Sequence, residues 1–215
     1  MSRSTGWTIA VLIVVAAITA ALLIELRRPE STVPATSPPS PGAAAPSPGG
    51  EDLSALRRRA GLPPCPADGA GPGPLALRGV TVGCLADGAT VDTARAVAGR
   101  VVLLNLWAYW CAPCAQELPA MAEYQRRVGD KLTVITVHQD NDAAAALSRL
   151  AAWGVKLPTW QDGGRRVAAA LGVPNVMPTS VVLRADGSVA GILPRAFDSA
   201  DEVAAAVDQT MGASG

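Results

Sequence analysis

The chain has 215 residues, room for one ordinary domain with attachments and too little for two full ones. Eighteen Lys and Arg balance eighteen Asp and Glu, so the chain lacks the electrostatic footprint of a general nucleic-acid binder. Twenty-one Gly and eighteen Pro exclude an uninterrupted helical bundle, and four Cys are too few for a disulfide-dense miniprotein.

Trp7 to Ile24 (WTIAVLIVVAAITAALLI) runs eighteen residues without a charge. At ~1.5 Å per residue it just spans a hydrocarbon core of roughly 30 Å. A cleaved signal peptide is the alternative, but its apolar region typically runs about 7–15 residues, and Ile18-Thr19-Ala20 places a bulky Ile at the cleavage pattern. Residues 1–28 are therefore read as a single transmembrane anchor. Arg3 lies on one side and Arg27 and Arg28 on the other, so the positive-inside rule gives no orientation. Residues 29–50 (PESTVPATSPPSPGAAAPSPGG) have almost nothing to bury and predict an extended, polyproline-leaning linker. The folded domain is expected over 51–215.

Glu51 to Ala60 predicts a short helix, acids first and Arg last, with Gly61 as its stop. After Cys65, in a Pro-rich loop, Val80 to Leu85 and Thr90-Val91 flank the turn 86–89 as a hairpin. Asp92 caps a brief helix closed by Gly99. Val101 to Leu106 (VVLLNL) is a continuous apolar run, the mark of a strand buried on both faces. A helix over 111–128, a buried strand over 132–137 and a helix over 142–153 follow. Then come an extended piece at 158–160, a helix over 165–171, a hairpin of 180–183 with 188–193, and a helix over 199–211. This order predicts an α/β domain, a mixed central sheet with helices on both faces.

The chemistry concentrates in Trp107-Ala108-Tyr109-Trp110-Cys111-Ala112-Pro113-Cys114, where a buried strand hands over to a helix. Two Cys three positions apart at a helix start can close a small disulfide, and only the first projects beyond the helix end. Unpaired N–H groups and the positive dipole end stabilise a thiolate there, lowering a thiol pKa from about 8.5 to ~3.5–7.5. Cys111 is the expected attacking thiol and Cys114 the resolving one. Half of a zinc site is the competing use of such a pair, but it needs further ligands and the only His is His138. No metal is expected. A second element, Met177-Pro178-Thr179, precedes the strand at 180–183.

Together these elements resemble the thioredoxin fold. More closely, the chain resembles the membrane-anchored TlpA/ResA thioredoxin-like family, in which the fold carries an N-terminal β-hairpin extension. The resemblance covers roughly Leu62 to Met211. It rests on Asp87-Gly88, Gly99-Arg100, the run from Asn105 to Cys114, Glu117-Leu118-Pro119, Met177-Pro178-Thr179 and Asp186-Gly187. Leu106 stands where many relatives have Phe. The resemblance implies that Pro178 is a cis proline facing the CxxC. Met177 and Thr179 flank it as substrate-binding positions, with Trp110 as a further docking contact beside Cys111. It also implies that Glu117 sits near the active pair. A poorly hydrated carboxylate there can take the proton of the resolving thiol; a Glu in the first turn that merely complements the helix dipole is the plainer reading.

Cys65 and Cys84 form the other pair. A disulfide between them is worth roughly 3 kcal/mol in the chain-entropy model and favours an oxidising compartment; two buried free thiols are the alternative. His138, followed by Gln139-Asp140-Asn141, is read as a surface-loop His, with a place near the strand's carboxyl end, where it could tune the thiolate, as the alternative; Trp107 is read as core. Trp160 with Asp162 matches no mechanism. The resulting expectation is an extracytoplasmic thiol–disulfide oxidoreductase with no cofactor beyond the Cys111–Cys114 disulfide. The family resemblance implies a single-pass membrane protein that reduces protein disulfides, among them apocytochrome c at its CxxCH before haem attachment. A membrane thiol transporter of the CcdA/DsbD kind would supply the electrons. A disulfide-forming oxidase for secreted proteins is the alternative. A copper metallochaperone on the same fold fits less well, because it uses CxxxC with a distant His.

Overall fold

The computed structural model describes residues 18–19, 52–71 and 73–212. The chain divides into two units, Met1–Pro46 and Ser47–Gly215. Of the first, Ile18 and Thr19 alone are described, helical and exposed. The predicted anchor otherwise lies outside the described residues, as does the predicted linker over 29–50. Among the described residues no helix is long and apolar enough to cross a membrane.

The second unit is built on a seven-stranded sheet in the order β2-β1-β5-β4-β3-β6-β7. Its strands are β1 (Thr81–Cys84), β2 (Thr90–Asp92), β3 (Val102–Trp107), β4 (Thr133–His138), β5 (Thr159–Gln161), β6 (Thr179–Leu183) and β7 (Val189–Leu193). The central trio β3, β4 and β5 is parallel, whereas β1, β2, β6 and β7 join antiparallel to their neighbours. The mixed sheet and the thioredoxin-like α/β architecture expected from the sequence are both present.

The apolar run of β3 alternates between two cores. Leu103 and Trp107 pack with α1 (Leu53–Ala60), α3 (Ala112–Val128), α4 (Ala143–Ala152) and α6 (Ala200–Gly212) on one face. Val102, Leu104 and Leu106 pack with α2 (Thr93–Val97) and α5 (Arg166–Ala170) on the other. A strand with period-two side chains and helices on both sides needs apolar residues at nearly every position. Asn105 is the exception.

Helix ends follow the local chemistry. Asp52 accepts from the Ser54 N–H at 2.9 Å to cap α1, and Gly61 closes it in the left-handed region (φ 53°), where only glycine is unstrained. Asp92 caps α2 and Asp142 caps α4 through the Ala145 N–H. Asp162, without a role in the sequence reading, is buried and accepts from the N–H groups of Arg166 and Val167 at 3.0 and 2.8 Å, seating α5.

Candidate active site

β3 delivers the chain to the site and α3 receives it. The β3–β6 register sets Leu106 opposite Thr179, which brings Pro178 level with Trp107 at the end of β3 from which the Cys111 loop departs. Cys111 keeps an extended backbone and caps α3, its Sγ accepting from the Cys114 N–H at 3.3 Å. Cys111 and Cys114 are joined in a disulfide with Cα atoms 5.3 Å apart. Cys111 retains 6% exposure and Cys114 none, so only the first sulfur presents an edge to an incoming partner. The amide aimed at the Cys111 sulfur and the helix end beneath it favour negative charge there once the bond opens.

One turn beyond Cys114, Glu117 is fully buried. Its Oε2 accepts from Asn105 Nδ2 at 2.8 Å, and the same amide group reaches Ser180 Oγ at 3.2 Å. Burial pushes the carboxyl up to about 7, against the opposing pull of the Asn105 amide, the Phe197 backbone N–H and the Arg195 charge. At neutral pH the group is poised between acid and base, the condition for exchanging a proton in either direction. Asn105 was missed as a site residue by the sequence reading. The available signal was a lone amide in a continuous apolar run, since a buried amide must find a polar partner.

Around this pair the Met177–Pro178 peptide bond is cis. Pro178 is buried, Met177 half-buried against the core cluster that holds both cysteines, and Thr179 buried with its hydroxyl donating to the Val176 carbonyl at 2.7 Å. The Thr179 side chain is thus occupied within its own loop, leaving backbone as what that position can offer a partner. Trp110 is 57% exposed, and its indole Nε1 donates to Asp140 Oδ2 at 3.0 Å, tying the cysteine loop to the segment after β4.

His138 departs from the sequence reading. It is the last residue of β4, paired with Trp107 and Gln161 in the ladder, and is fully buried. Its ring lies 4.9 Å from that of Trp107 and 6.0 Å from that of Tyr109. Gln161 Nε2 donates to the Asp140 carbonyl, so Gln161 Oε1 faces His138 Nδ1 at 3.0 Å and the ring proton sits on Nδ1. Burial lowers its pKa, opposed by the Gln161 hydrogen bond and the charges of Asp140 and Asp142. His138 is a neutral packing group behind the cysteine loop.

Away from this site, Cys65 and Cys84 are joined in a disulfide with Cα atoms 5.9 Å apart, linking the segment after α1 to β1. Among the described residues no group of three or more His, Cys, Asp or Glu is placed to hold a metal ion.

Over 92 residues the chain is 33% identical to the thiol-disulfide oxidoreductase ResA of Bacillus thuringiensis, covering 42% of this chain and 53% of that protein. The chain spans about half the length of the curated relatives it matches. Its fold is similar to that of a DsbF homologue from Corynebacterium diphtheriae, with a TM-score of 0.54 and 26% identity over 66% of this chain and 90% of that one. A secreted Mycobacterium tuberculosis disulfide oxidoreductase homologous to E. coli DsbE superposes with a TM-score of 0.54 at 24% identity, over 62% and 96% of the two chains, a likeness of fold alone. Residues 72–207, more than half of the chain, match the family model described as Redoxin, and the chain belongs to the Redoxin family.

Proposed function

We propose that the chain is an extracytoplasmic thiol–disulfide oxidoreductase, held to the membrane by residues 1–28 and working as a disulfide reductase. The observation that carries the reading is the Cys111–Cys114 pair at the head of α3 with a buried carboxyl of raised pKa one turn below it. The similarity to ResA supports the same chemistry.

In the reducing direction the pair starts as a dithiol. The Cys111 thiolate attacks one sulfur of the client disulfide, forming a mixed disulfide and releasing the other client sulfur as a thiolate. Cys114 then attacks Cys111 Sγ. Its proton passes to the ionised fraction of Glu117, the second client sulfur leaves as a thiolate, and the Cys111–Cys114 bond closes. Two electrons have moved to the client, and a membrane dithiol donor of the CcdA/DsbD kind returns them to the pair. Ionised Glu117 repels a neighbouring thiolate, disfavours the reduced and ionised form, and so lowers the reduction potential. That sign favours a reductant, with the CxxCH disulfide of apocytochrome c as the client.

A redox titration of the purified chain tests the direction. A potential nearer thioredoxin's ~−270 mV than DsbA's ~−120 mV is expected. A value above about −150 mV on that scale identifies a disulfide-forming oxidase instead and removes the cytochrome client.

A further inference from the structure

We propose that the end of the domain opposite Cys111 is a basic docking face for the phosphate headgroups of anionic lipids, one that turns the cysteine pair away from the bilayer. This rests on the reading of residues 1–28 as a membrane anchor.

A cleft of about 650 Å³ opens across the starts of the three parallel strands, lined by Val101, Thr133 and Pro158. β3 then runs six residues to Trp107, so at ~3.3 Å per residue about 20 Å of sheet separates the cleft from the loop that carries Cys111. Arg100, Lys131 and Lys156 line it against a single carboxylate, Asp130. Among the described residues neither Arg100 nor Lys131 makes an ion pair or a side-chain hydrogen bond. Lys156 Nζ donates to the Ala60 carbonyl, which brings the last turn of α1 to the cleft. On that turn Arg58 and Arg59 are exposed, again without a carboxylate partner among the described residues. Arg126 and Arg127, on the last turn of α3 just before the cleft, pair with Glu123, and Arg95, Arg166 and Arg195 also pair with carboxylates. The cleft lining thus carries three cations against one anion, with Arg58 and Arg59 beside it.

α1 has eight residues, so Asp52 lies about 12 Å from the Lys156 contact at Ala60. Surface charge decides which end of the domain meets an anionic leaflet. An anionic leaflet favours each nearby Lys or Arg by about 1 kcal/mol, about fivefold in the bound-to-free ratio.

Lys131 and Lys156 are the only lysines of the chain, which makes amine acylation a site-specific reporter. The full chain is placed in nanodiscs of phosphatidylcholine alone or with added phosphatidylglycerol, and the acylation rate of Lys131 is compared with that of the amino terminus. The expected result is slowing of at least about fivefold in the anionic discs only, reversed by about 0.5 M salt, where the screening length falls to roughly 4 Å. Arg100→Ala should return the Lys131 rate about fivefold towards the free value. Equal rates in both kinds of disc overturn the proposal. So does equal slowing by millimolar inorganic phosphate in neutral discs, which would mark a site for free phosphate. The anchor is judged separately by whether the chain stays with neutral discs at high salt. If it does not, yet anionic discs still slow Lys131, the docking face stands and the anchor falls.

Discussion

Replacing Glu117 with Gln removes a buried charge while keeping an oxygen to accept from Asn105 Nδ2. The carboxyl titrates at about 7 in the folded chain against 4.5 when unperturbed. Between those values the native state holds more protons at this group than the unfolded state, so stability falls as pH rises across the window. The gap, at about 1.4 kcal/mol per pH unit, amounts to roughly 3 kcal/mol lost by pH 8. His138 acts in the opposite sense: its lowered pKa means that stability is gained as pH rises towards its ordinary value of 6.5. The wild-type profile therefore mixes two slopes, and the difference between the variants isolates Glu117. Denaturant unfolding of the oxidised chain, wild type and Glu117→Gln, at pH values from 4.5 to 8.5 measures it. The variant should gain steadily on the wild type from the acid end and lead by roughly 3 kcal/mol at pH 8. A difference that does not change with pH, or a variant less stable at pH 8, would refute the placement of this carboxyl as a desolvated acid.

Four further outcomes are expected. In the reduced chain Cys111 should be alkylated readily below about pH 8 and Cys114 should be protected; equal rates at the two thiols would contradict the assignment of attacking and resolving roles. Mild reductant should open Cys111–Cys114 and leave Cys65–Cys84 closed. Replacing Cys65 and Cys84 with Ala should cost roughly 3 kcal/mol, the value for a closed loop of this size, and a double variant of unchanged stability would show that the bond carries no structural weight. The His138 imidazole, followed by NMR, should titrate below 6.5 with its proton on Nδ1; a titration at or above that value would place the ring in solvent.

The buried strands were readable because β3 and β4 are covered on both faces, which forces runs such as VVLLNL, and the helix starts because Asp and Cys mark them. The pair at the head of α3 was expected from its CxxC spacing where a buried strand hands over to a helix, together with the want of further ligands for a zinc site. What escaped depends on tertiary neighbours. His138 precedes Gln139-Asp140-Asn141 and looks like loop, yet β4 continues through it because Trp107 and Gln161 complete its ladder on both sides. The link between Asn105 and Glu117 crosses from β3 to α3 and exists only once the helix packs on the sheet. The Trp110–Asp140 bond likewise joins two loops thirty positions apart, and no local pattern announces it.

The Cys65–Cys84 bond also sets how the domain carries mechanical load. A pull on the chain upstream of Asp52 first strains α1, whose eight residues hold to the core chiefly through Leu56 and Ala60. Peeling can run as far as Cys65 and no further, because there a covalent bond passes the force to β1. α1 is then a sacrificial element, yielding before tension on the amino-terminal side reaches the sheet that carries the β3–α3 junction and Cys111.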